Sequence, residues 1–361
     1  MSKIRVGLVF GGNSAEHTVS IMSAVSVWKA IDREKFEVVP MAISKQGYWL
    51  GPEKSTEFLK RECQLVDDIF TTREQSLSQE GNKLFSDEVF SLVREGKLDA
   101  VFPVLHGPFG EDGKIQGFWE MLGIPYVGTG VLSSALIMDK VFQKKIFAYH
   151  QLPQAGFLSF DLRKQNDGDF DKIVAEIADK FGFPCFVKPA NMGSSIGISR
   201  VESSSELKNA FATAFEYDRK LVVEEYIAGR EIECSVLGEI GSDQPYRVSL
   251  PGEIKPAHDF YDYQSKYEDR DTELVIPVEL PERICTRIQQ LAVKSFEIME
   301  GCGMCRVDFF YREEDEGIFI NELNTIPGFT KYSMYPKLWS ASGMEYSDLI
   351  TELISLALQN D

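Results

Sequence analysis

The segment 306–324 constrains the fold most strongly, because it predicts a β-hairpin with one polar face. Two apolar-rich runs flank a short acidic turn there, which is the usual pattern of two paired strands. If the hairpin is symmetric about the centre of its turn, Asp308 lies opposite Glu322. Arg306 then lies opposite Asn324. Because strand side chains alternate between the two faces of a sheet, these four residues share one face.

The polar face of this hairpin suggests a metal site. Two carboxylates directly opposite each other repel, and a divalent cation between them would remove that cost. Oxygen ligands from Asp308, Glu322 and Asn324 suit magnesium, which proteins commonly share between a few carboxylates and substrate phosphates. The alternative is a solvated edge hairpin with an acidic turn. The pattern alone leaves both readings open.

Length and charge limit the class of protein. A chain of 361 residues with 43% hydrophobic and 12% aromatic residues predicts two or three well-packed domains. Its net charge of −18 argues against nucleic acid as the main partner. No apolar run approaches the roughly 20 residues needed to span a bilayer, so we expect no membrane partner. The first residues lead directly into a strand-like run, and we expect a cytoplasmic protein.

The six cysteines predict free thiols in a reducing compartment, because most lie in apolar runs. Cys302 and Cys305 match the C-x-x-C pattern. No second pair with zinc-ligand spacing is apparent, and the motif leads into a strand, whereas a redox pair is expected at a helix start. We therefore interpret this motif as structural.

The order of apolar and polar runs predicts an α/β fold with mixed α+β parts in three units. Residues 1–133 form an open, Rossmann-like α/β unit, within which 52–95 is a polar, helix-prone elaboration. Residues 134–222 open with a basic helix over 138–149, and residues 223–361 contain the hairpin. The elements expected in the first unit are a helix over 16–31 and strands over 4–10, 36–43, 98–105 and 125–127.

The loop 191–197 gives the strongest phosphate-binding signal. Its glycines let backbone N–H groups face an anion, and its serines add donors. Lys188 lies just upstream, at the end of an expected strand. The order of residues does not match a P-loop. An ordinary connection is the alternative reading.

Three further loops give weaker signals. Gly128 lies in an imitation of a dinucleotide-binding turn, but Ser133 occupies a position expected to be Gly or Ala, so we interpret a tight turn. The expected strand 222–227, followed by Glu231, could hold a purine and its ribose or be a plain hairpin. The loop after His106 lies at the usual ligand edge of an α/β sheet, although His106 could equally be structural.

Taken in order, these motifs resemble those of the D-alanine–D-alanine ligases of the ATP-grasp superfamily. The matching segments are 10–20, 106–113, 138–140, 188 with 193–195, 224–231, 260–267 and 306–333. The resemblance implies an ATP-grasp fold. Its parts would be an N-terminal substrate-binding domain (1–133), a central subdomain (134–222) and a C-terminal subdomain (223–361) with the metal site and a lid.

The resemblance also implies roles for individual residues. The residues implied for ATP are Lys140 and Lys188 on the phosphates, Glu224, Tyr226 and Ile227 on adenine, and Glu231 on the ribose. Asp308, Glu322 and Asn324 would hold two Mg2+ ions, with Mn2+ as an alternative. Tyr226 stands where an indole is common in relatives, which would change the packing of adenine but not the chemistry.

The remaining implied roles concern the two D-alanine sites. The residues are Glu16 on the first ammonium group, Ser194 and Tyr267 as its hydrogen-bond partners, His106 near the first substrate, Arg306 and the Gly328 backbone on the oxyanion, Ser333 on the second carboxylate, and Lys266 in the lid motif. The implied chemistry is ADP-forming, with an acylphosphate that the second amine attacks. A lid over 252–276 would exclude water.

Tyr267 bears on the second substrate. Depsipeptide-forming relatives, linked to vancomycin resistance, commonly carry a histidine there, and its charged form would repel an ammonium group. A phenol is neutral near pH 7, so we expect D-alanyl-D-alanine, a peptidoglycan precursor, rather than a D-lactate product.

Two alternative functions remain at this stage. One is another ATP-grasp carboxylate–amine ligase, against which the motifs at Glu16 and at Lys266 and Tyr267 argue. The other is a nucleotide-binding sensor or dinucleotide oxidoreductase based on the Gly128 turn, which leaves the acidic hairpin unexplained. The resemblance further implies a homodimer and leaves room for a monovalent cation.

Overall fold

A three-stranded parallel sheet opens the chain in the computed structural model, which describes residues 2–65, 86–164, 170–238, 245–255 and 272–359. Strands β1 (Ile4–Gly11), β2 (Phe36–Ile43) and β3 (Ala100–Pro103) are in the order β2-β1-β3. The expected strand at 125–127 is reduced to one parallel bridge between Tyr126 and Val101. The predicted open α/β unit is otherwise confirmed.

The apolar run of β1 is explained by burial on both faces of this sheet. Leu8 and Val9 point to opposite faces and belong to two different hydrophobic cores. The elements that surround the sheet are α1 (His17–Ala30), α2 (Pro52–Leu65), α3 (Asp87–Arg94) and α4 (Lys114–Met121). The helices α2 and α3 lie in the elaboration that the sequence predicted to be helix-prone.

A four-stranded antiparallel sheet follows. Its order is β4-β7-β5-β6, with β4 (Phe157–Asp161), β5 (Cys185–Pro189), β6 (Ser199–Val201) and β7 (Lys220–Glu225). The helical elements of this part are α5 (Val131–Met138), α6 (Lys140–Tyr149), a 3-10 turn (Leu162–Lys164), α7 (Phe170–Lys180) and α8 (Leu207–Tyr217). The expected boundary between 222 and 223 falls within β7, and it remains a prediction.

A six-stranded antiparallel sheet contains the predicted hairpin. Its order is β11-β10-β8-β12-β13, and β9 pairs with β8. The strands are β8 (Arg230–Gly238), β9 (Arg247–Val248), β10 (Gly252–Lys255), β11 (Glu273–Val275), β12 (Gly303–Arg312) and β13 (Gly317–Asn324). The helices are α9 (Glu282–Ile298), α10 (Met334–Ala341) and α11 (Tyr346–Ala357). This completes a fold of the predicted mixed α/β class.

The predicted hairpin register is confirmed at the end that matters for the site. Asp308 pairs with Glu322, and Arg306 pairs with Asn324. A β-bulge between Asp308 and Phe309 shifts the register by one residue on the turn side, which the symmetric prediction did not include.

The C-terminal helices complete the core of the first sheet. Leu349 and Leu353 of α11 lie in the same hydrophobic cluster as Val6 and Leu8 of β1. Phe329, which precedes α10, packs edge-on against a β3 side chain, with ring centroids 5.5 Å apart. The segment between β13 and α10 is therefore fixed against the first sheet. Across the described ranges, no helix combines the length and apolar character required to cross a membrane.

Candidate active site

One face of the hairpin sheet carries a row of three carboxylates. Asp308 of β12 pairs with Glu322 of β13 on one side and with Glu233 of β8 on the other. Directly paired residues of antiparallel strands point to the same face. The adjacent row contains Arg306, between Asn324 and Ser235. The predicted face is thus present, and Glu233 extends it.

Two cations balance this row. Arg306 binds Asp308 through two hydrogen bonds, Nε to Oδ1 and Nη2 to Oδ2, both 2.7 Å long. Its Nε also lies 3.0 Å from Glu233 Oε2. Burial alone would lower the pKa of Arg306, but Asp308 and Glu233 outweigh it and hold the pKa well above its usual value. The guanidinium group of Arg306 is therefore permanently charged and held in one orientation. The second cation is Lys140, whose Nζ lies 3.3 Å from Glu322 Oε2.

The donor set on this face fits a hard divalent cation. Asp308, Glu322 and Asn324 offer two carboxylates and one amide side chain on neighbouring strands, and Asn324 Nδ2 lies 3.0 Å from Asp308 Oδ2. Within the described residues, no group of three or more His, Cys, Asp or Glu side chains forms a metal site by itself. The protein would therefore supply part of the coordination sphere, and substrate phosphates the rest, as is usual for magnesium.

The loop 191–197 lies against this face. Lys140 Nζ donates to the carbonyl oxygen of Met192 over 2.8 Å, so one ammonium group contacts both the loop and the hairpin. Ser194 and Ser195 adopt left-handed backbone angles, with φ of 50° and 58°. That conformation is uncommon for residues other than glycine and is often found at functional sites. Ser194 donates its hydroxyl hydrogen to Glu16.

Glu16 lies at the beginning of α1 in a tight pocket. The residue is buried, and a side chain at Gly107 would place its Cβ 2.4 Å from Glu16 Oε2. A residue other than glycine at 107 would therefore displace the carboxylate. The contact between Glu16 and Ser194 that the family resemblance implied is present, and the roles of both residues toward a substrate remain predictions.

A buried cluster of charges lies beside β7. Lys188 Nζ is 2.9 Å from Glu224 Oε2, and Lys144 Nζ is 3.4 Å from Glu224 Oε1. Burial lowers the pKa of Lys144 more than Glu224 raises it. Burial would lower the pKa of Lys188 and raise that of Glu224, but the opposite charges outweigh burial in both cases and stabilise the ion pair.

The side chains beyond Glu224 form the rest of the expected adenine region. Tyr226 packs against Phe186, with ring centroids 6.0 Å apart, and the Cζ of Arg200 lies 4.9 Å from the centre of the Tyr226 ring. Ile227 is buried. Glu231 lies in β8, on the same sheet as the carboxylate row. The predicted residues therefore follow one another from β7 into β8.

His106 holds the segment that follows β13. Its Nδ1 lies 2.8 Å from the carbonyl oxygen of Ile326, and its Nε2 lies 3.0 Å from Ser23 Oγ. Glu111 accepts the N–H of Ile326 over 3.0 Å and the N–H of Gly107 over 2.7 Å. Both main-chain polar groups of Ile326 are thus bound by side chains from one loop. His106 thus anchors Ile326, and its expected place near the first substrate remains a prediction.

Gly328 and Ser333 lie just beyond this anchor. Ser333 precedes α10, and its Oγ accepts the N–H of Thr330 over 3.1 Å. A side chain at Gly328 would place its Cβ 2.9 Å from Ser333 Oγ, so the two residues approach closely. Their predicted roles toward substrate remain predictions.

Comparison with known families settles the family of the chain. The family model described as "D-ala D-ala ligase N-terminus" matches residues 5–129. The model described as "D-ala D-ala ligase C-terminus" matches residues 146–355. This chain belongs to the D-alanine–D-alanine ligase family. The resemblance inferred from the sequence motifs is therefore confirmed, and with it the ATP-grasp fold expected of the family.

Relatives of known name match this family member over its whole length. The D-alanine–D-alanine ligase of Halothermothrix orenii is 50% identical over 100% of both chains, and that of Natranaerobius thermophilus is 47% identical over 99% of this chain and 96% of its own. Among solved structures, the D-alanine–D-alanine ligase of Coxiella burnetii matches with a TM-score of 0.77 and 33% identity, over 99% of this chain and 95% of its own. The VanG D-Ala:D-Ser ligase of Enterococcus faecalis matches with a TM-score of 0.78 and 33% identity, over 99% of this chain and 100% of its own.

Three charged residues of this ligase-family site escaped the sequence reasoning. Lys144 follows Lys140 by one helical turn, a spacing that places both on the same face of α6. Glu233 follows Glu231 by two residues on β8 and so shares its face. Glu111 lies in the loop after His106. Spacing could have suggested the first two. Lys266 and Tyr267 lie outside the described residues.

Proposed function

We propose that this chain ligates two D-alanine molecules to D-alanyl-D-alanine with the conversion of ATP to ADP and phosphate, for peptidoglycan precursor synthesis. The contact that best supports this assignment is the double interaction of Lys140. Its ammonium group joins the carbonyl oxygen of Met192 to the carboxylate of Glu322. The loop proposed to bind phosphate and the face proposed to bind metal are therefore adjacent, an arrangement that supports phosphoryl transfer.

In the first step, the carboxylate of the first D-alanine attacks the γ-phosphorus of ATP, an acylphosphate forms and ADP leaves. Glu16, oriented by Ser194, would bind the ammonium group of that substrate. Lys140 and Lys188 would bind the phosphates. Asp308, Glu322 and Asn324 would hold two Mg2+ ions, or Mn2+, whose charge neutralises the transferring phosphoryl group. The protein's task in this step is mainly positioning.

In the second step, the amine of the second D-alanine attacks the acyl carbon, and inorganic phosphate leaves. The negative charge that develops on the carbonyl oxygen would be stabilised by Arg306 and the N–H of Gly328. Arg306 suits this role because its charge is fixed and its orientation is set by Asp308 and Glu233. The second carboxylate would lie near Ser333, at the beginning of α10, where a helix favours an anion.

The nucleotide site, the lid and the assembly complete the proposed enzyme. Glu224, Tyr226, Ile227 and Glu231 would bind adenine and ribose, with His106 anchoring the adjacent segment. Lys266 and Tyr267 would belong to a lid that excludes water and favours an amine over D-lactate. We also propose a cytoplasmic homodimer whose domains divide near residues 133 and 222, with room for a monovalent cation.

A competition assay tests the function. Purified protein with ATP and Mg2+ receives D-alanine alone, D-alanine with D-serine, D-alanine with D-lactate, or L-alanine, and products are identified by mass spectrometry. We expect one ADP released per D-alanyl-D-alanine formed, and little D-lactate product at pH 7. The D-serine arm matters because a D-Ala:D-Ser ligase is 33% identical to this chain. Release of ADP without dipeptide, or a preference for D-lactate, would refute the proposal.

A further inference from the structure

Lys144 is a fully buried ammonium group to which the proposed reaction assigns no task. It is 1% exposed and lies on α6 one turn after Lys140. Its Nζ lies 3.4 Å from Glu224 Oε1. Burying a charge is costly even when it is paired, because the ion loses its hydration. A lysine kept there at such a cost invites a functional explanation.

Glu224 has two ammonium neighbours on two different oxygen atoms. Lys188 lies 2.9 Å from Oε2, and Lys144 lies 3.4 Å from Oε1. One carboxylate thus serves two cations, and the carboxylates of Glu231 and Glu322 also act on Lys188 electrostatically. The phosphates of a nucleotide would compete with Glu224 for one of the two lysines. Only one of the two lysines can leave Glu224 to meet them without leaving a buried carboxylate unpaired.

Position determines which lysine can leave. Lys188 lies near the end of β5, three residues before the loop 191–197, and 10% of its side chain is exposed. Lys144 is enclosed between α6 and β7 and could reach a ligand only if the core rearranged. Lys188 is therefore the exchangeable partner.

We propose that Lys144 stays paired with Glu224, which keeps Glu224 an acceptor for the amino group of a 6-aminopurine while Lys188 moves from Glu224 to the nucleotide's phosphates. This inference rests on the proposed function. It makes Lys144 a positioning residue for nucleotide selection, because it acts through Glu224 and contacts no substrate.

The choice between 6-amino and 6-oxo purines is the direct readout. A carboxylate oxygen accepts a hydrogen bond from the amino group of adenine but repels the 6-oxo group of hypoxanthine. Without Lys144, Lys188 would stay on Glu224. Its ammonium group would then donate toward a 6-oxo group and would no longer reach the phosphates. Loss of Lys144 should therefore weaken the binding of ATP and shift the nucleotide preference of the enzyme toward ITP.

The test measures kcat and KM for ATP and for ITP in the wild-type enzyme and in Lys144→Met. Methionine has similar length and no charge, and Glu224 keeps Lys188, so the variant should fold. We expect KM for ATP to rise at least about tenfold and the ATP-to-ITP ratio of kcat/KM to fall by about tenfold or more, as expected when one buried charged contact is lost. KM for D-alanine should stay within about twofold, because the amino-acid sites are not involved.

Lys145→Met is the matched control, because Lys145 is the next residue of α6 and is exposed. We expect its ATP-to-ITP ratio to equal that of the wild type. A folded Lys144→Met enzyme whose ratio also stays within about twofold of the wild type would overturn the proposal.

A second pair of variants protects the test against misfolding. The single variant Glu224→Gln removes the negative charge of Glu224. The double variant, Glu224→Gln with Lys144→Met, removes the charge of Lys144 as well. We expect equal ATP-to-ITP ratios in the two, because Lys144 acts only through Glu224. A further tenfold drop in the double variant would contradict that route. Absence of D-alanine-dependent ADP release in the wild type would instead refute the proposed function.

Discussion

The two ends of the β12–β13 hairpin carry the same ion pair in different surroundings. Near the turn, Arg312 binds Asp315 through two hydrogen bonds of 2.9 and 2.8 Å. At the other end, Arg306 binds Asp308 through two of 2.7 Å. The side chains of the first pair are 32% and 54% exposed, whereas those of the second are 17% and 14% exposed. The hydrogen-bond geometry of the two ion pairs is thus nearly identical, and their exposure to water is what differs.

The surroundings assign different tasks to the two pairs. Water screens the turn pair, and exposed pairs of this kind stabilise proteins little. Arg306 and Asp308 lie between two further carboxylates, Glu233 and Glu322, and beside Lys140. A change of charge at this end therefore alters the electrostatic interactions of all these neighbouring groups. Ion-pair geometry alone does not reveal function, and the following predictions test this difference between the ends.

The largest effect is expected for Glu322→Gln at the half-buried end. The substitution keeps the shape but removes a charge that would bind the metal, so D-alanine-dependent ADP release should fall by about 100-fold or more. Glu314→Gln, an exposed residue of the turn, is the control and should change ADP release less than about twofold. Normal turnover of Glu322→Gln at low Mg2+ would remove Glu322 from the metal site.

Arg306→Lys should lower kcat by about 100-fold, the usual cost of losing one oxyanion donor. Lysine keeps the charge but cannot reproduce the two parallel hydrogen bonds of a guanidinium group. Arg312→Lys makes the same change at the turn and should leave kcat within about twofold. Steady-state kinetics with D-alanine would measure both, and equal losses in the two variants would erase the distinction between the ends.

A pH series sharpens the comparison at Glu111, a carboxylate bound by the N–H groups of Gly107 and Ile326. Burial and the nearby Glu16 raise the pKa of Glu111 to about 8. Between its unfolded value and about pH 8 the folded protein keeps a proton that the unfolded chain releases, so stability falls as pH rises. Melting temperatures of wild type and Glu111→Gln should therefore diverge from about pH 5 to about pH 8, with the wild type losing more. Parallel curves would contradict the raised pKa.

The smallest effect is expected for Asp315→Asn. The hydrogen bond from Arg312 lowers the pKa of Asp315 to about 2, so its contribution is present at neutral pH and is lost only as the solution becomes strongly acidic. Because the pair is exposed, ADP release at pH 7.5 should stay within about twofold and the melting temperature within about 2 °C. A loss of activity comparable with that of Glu322→Gln would mean that the turn end takes part in function.

Sequence predicted best what is local. The hairpin register at Asp308 followed from alternation and a short turn, both of which act over a few residues. The bulge beside Phe309 did not, because nothing in the pattern requires an extra residue there. Glu233 joins the carboxylate row only because β8 lies beside β12, and strand order is a tertiary property. The same holds for Lys144, which faces Glu224 across α6 and β7.

The role of His106 shows the same limit at longer range. Its loop was recognised as a ligand edge, but its partner Ile326 is 220 residues away. A pattern of neighbours cannot reveal such a contact. Lys266 and Tyr267 stay predictions of the sequence alone. Motif order identified the family correctly because many weak signals in a fixed order become specific together.

The packing of α11 against the first sheet has a consequence for biosynthesis. A ribosome releases β1 well before α11, yet Leu349 and Leu353 share one core with Val6 and Leu8. Until those leucines emerge, the nascent parallel sheet keeps an apolar face without its final cover. Exposed apolar faces of this kind promote aggregation and attract chaperones. The core around the first sheet is thus completed only after α11 has been made.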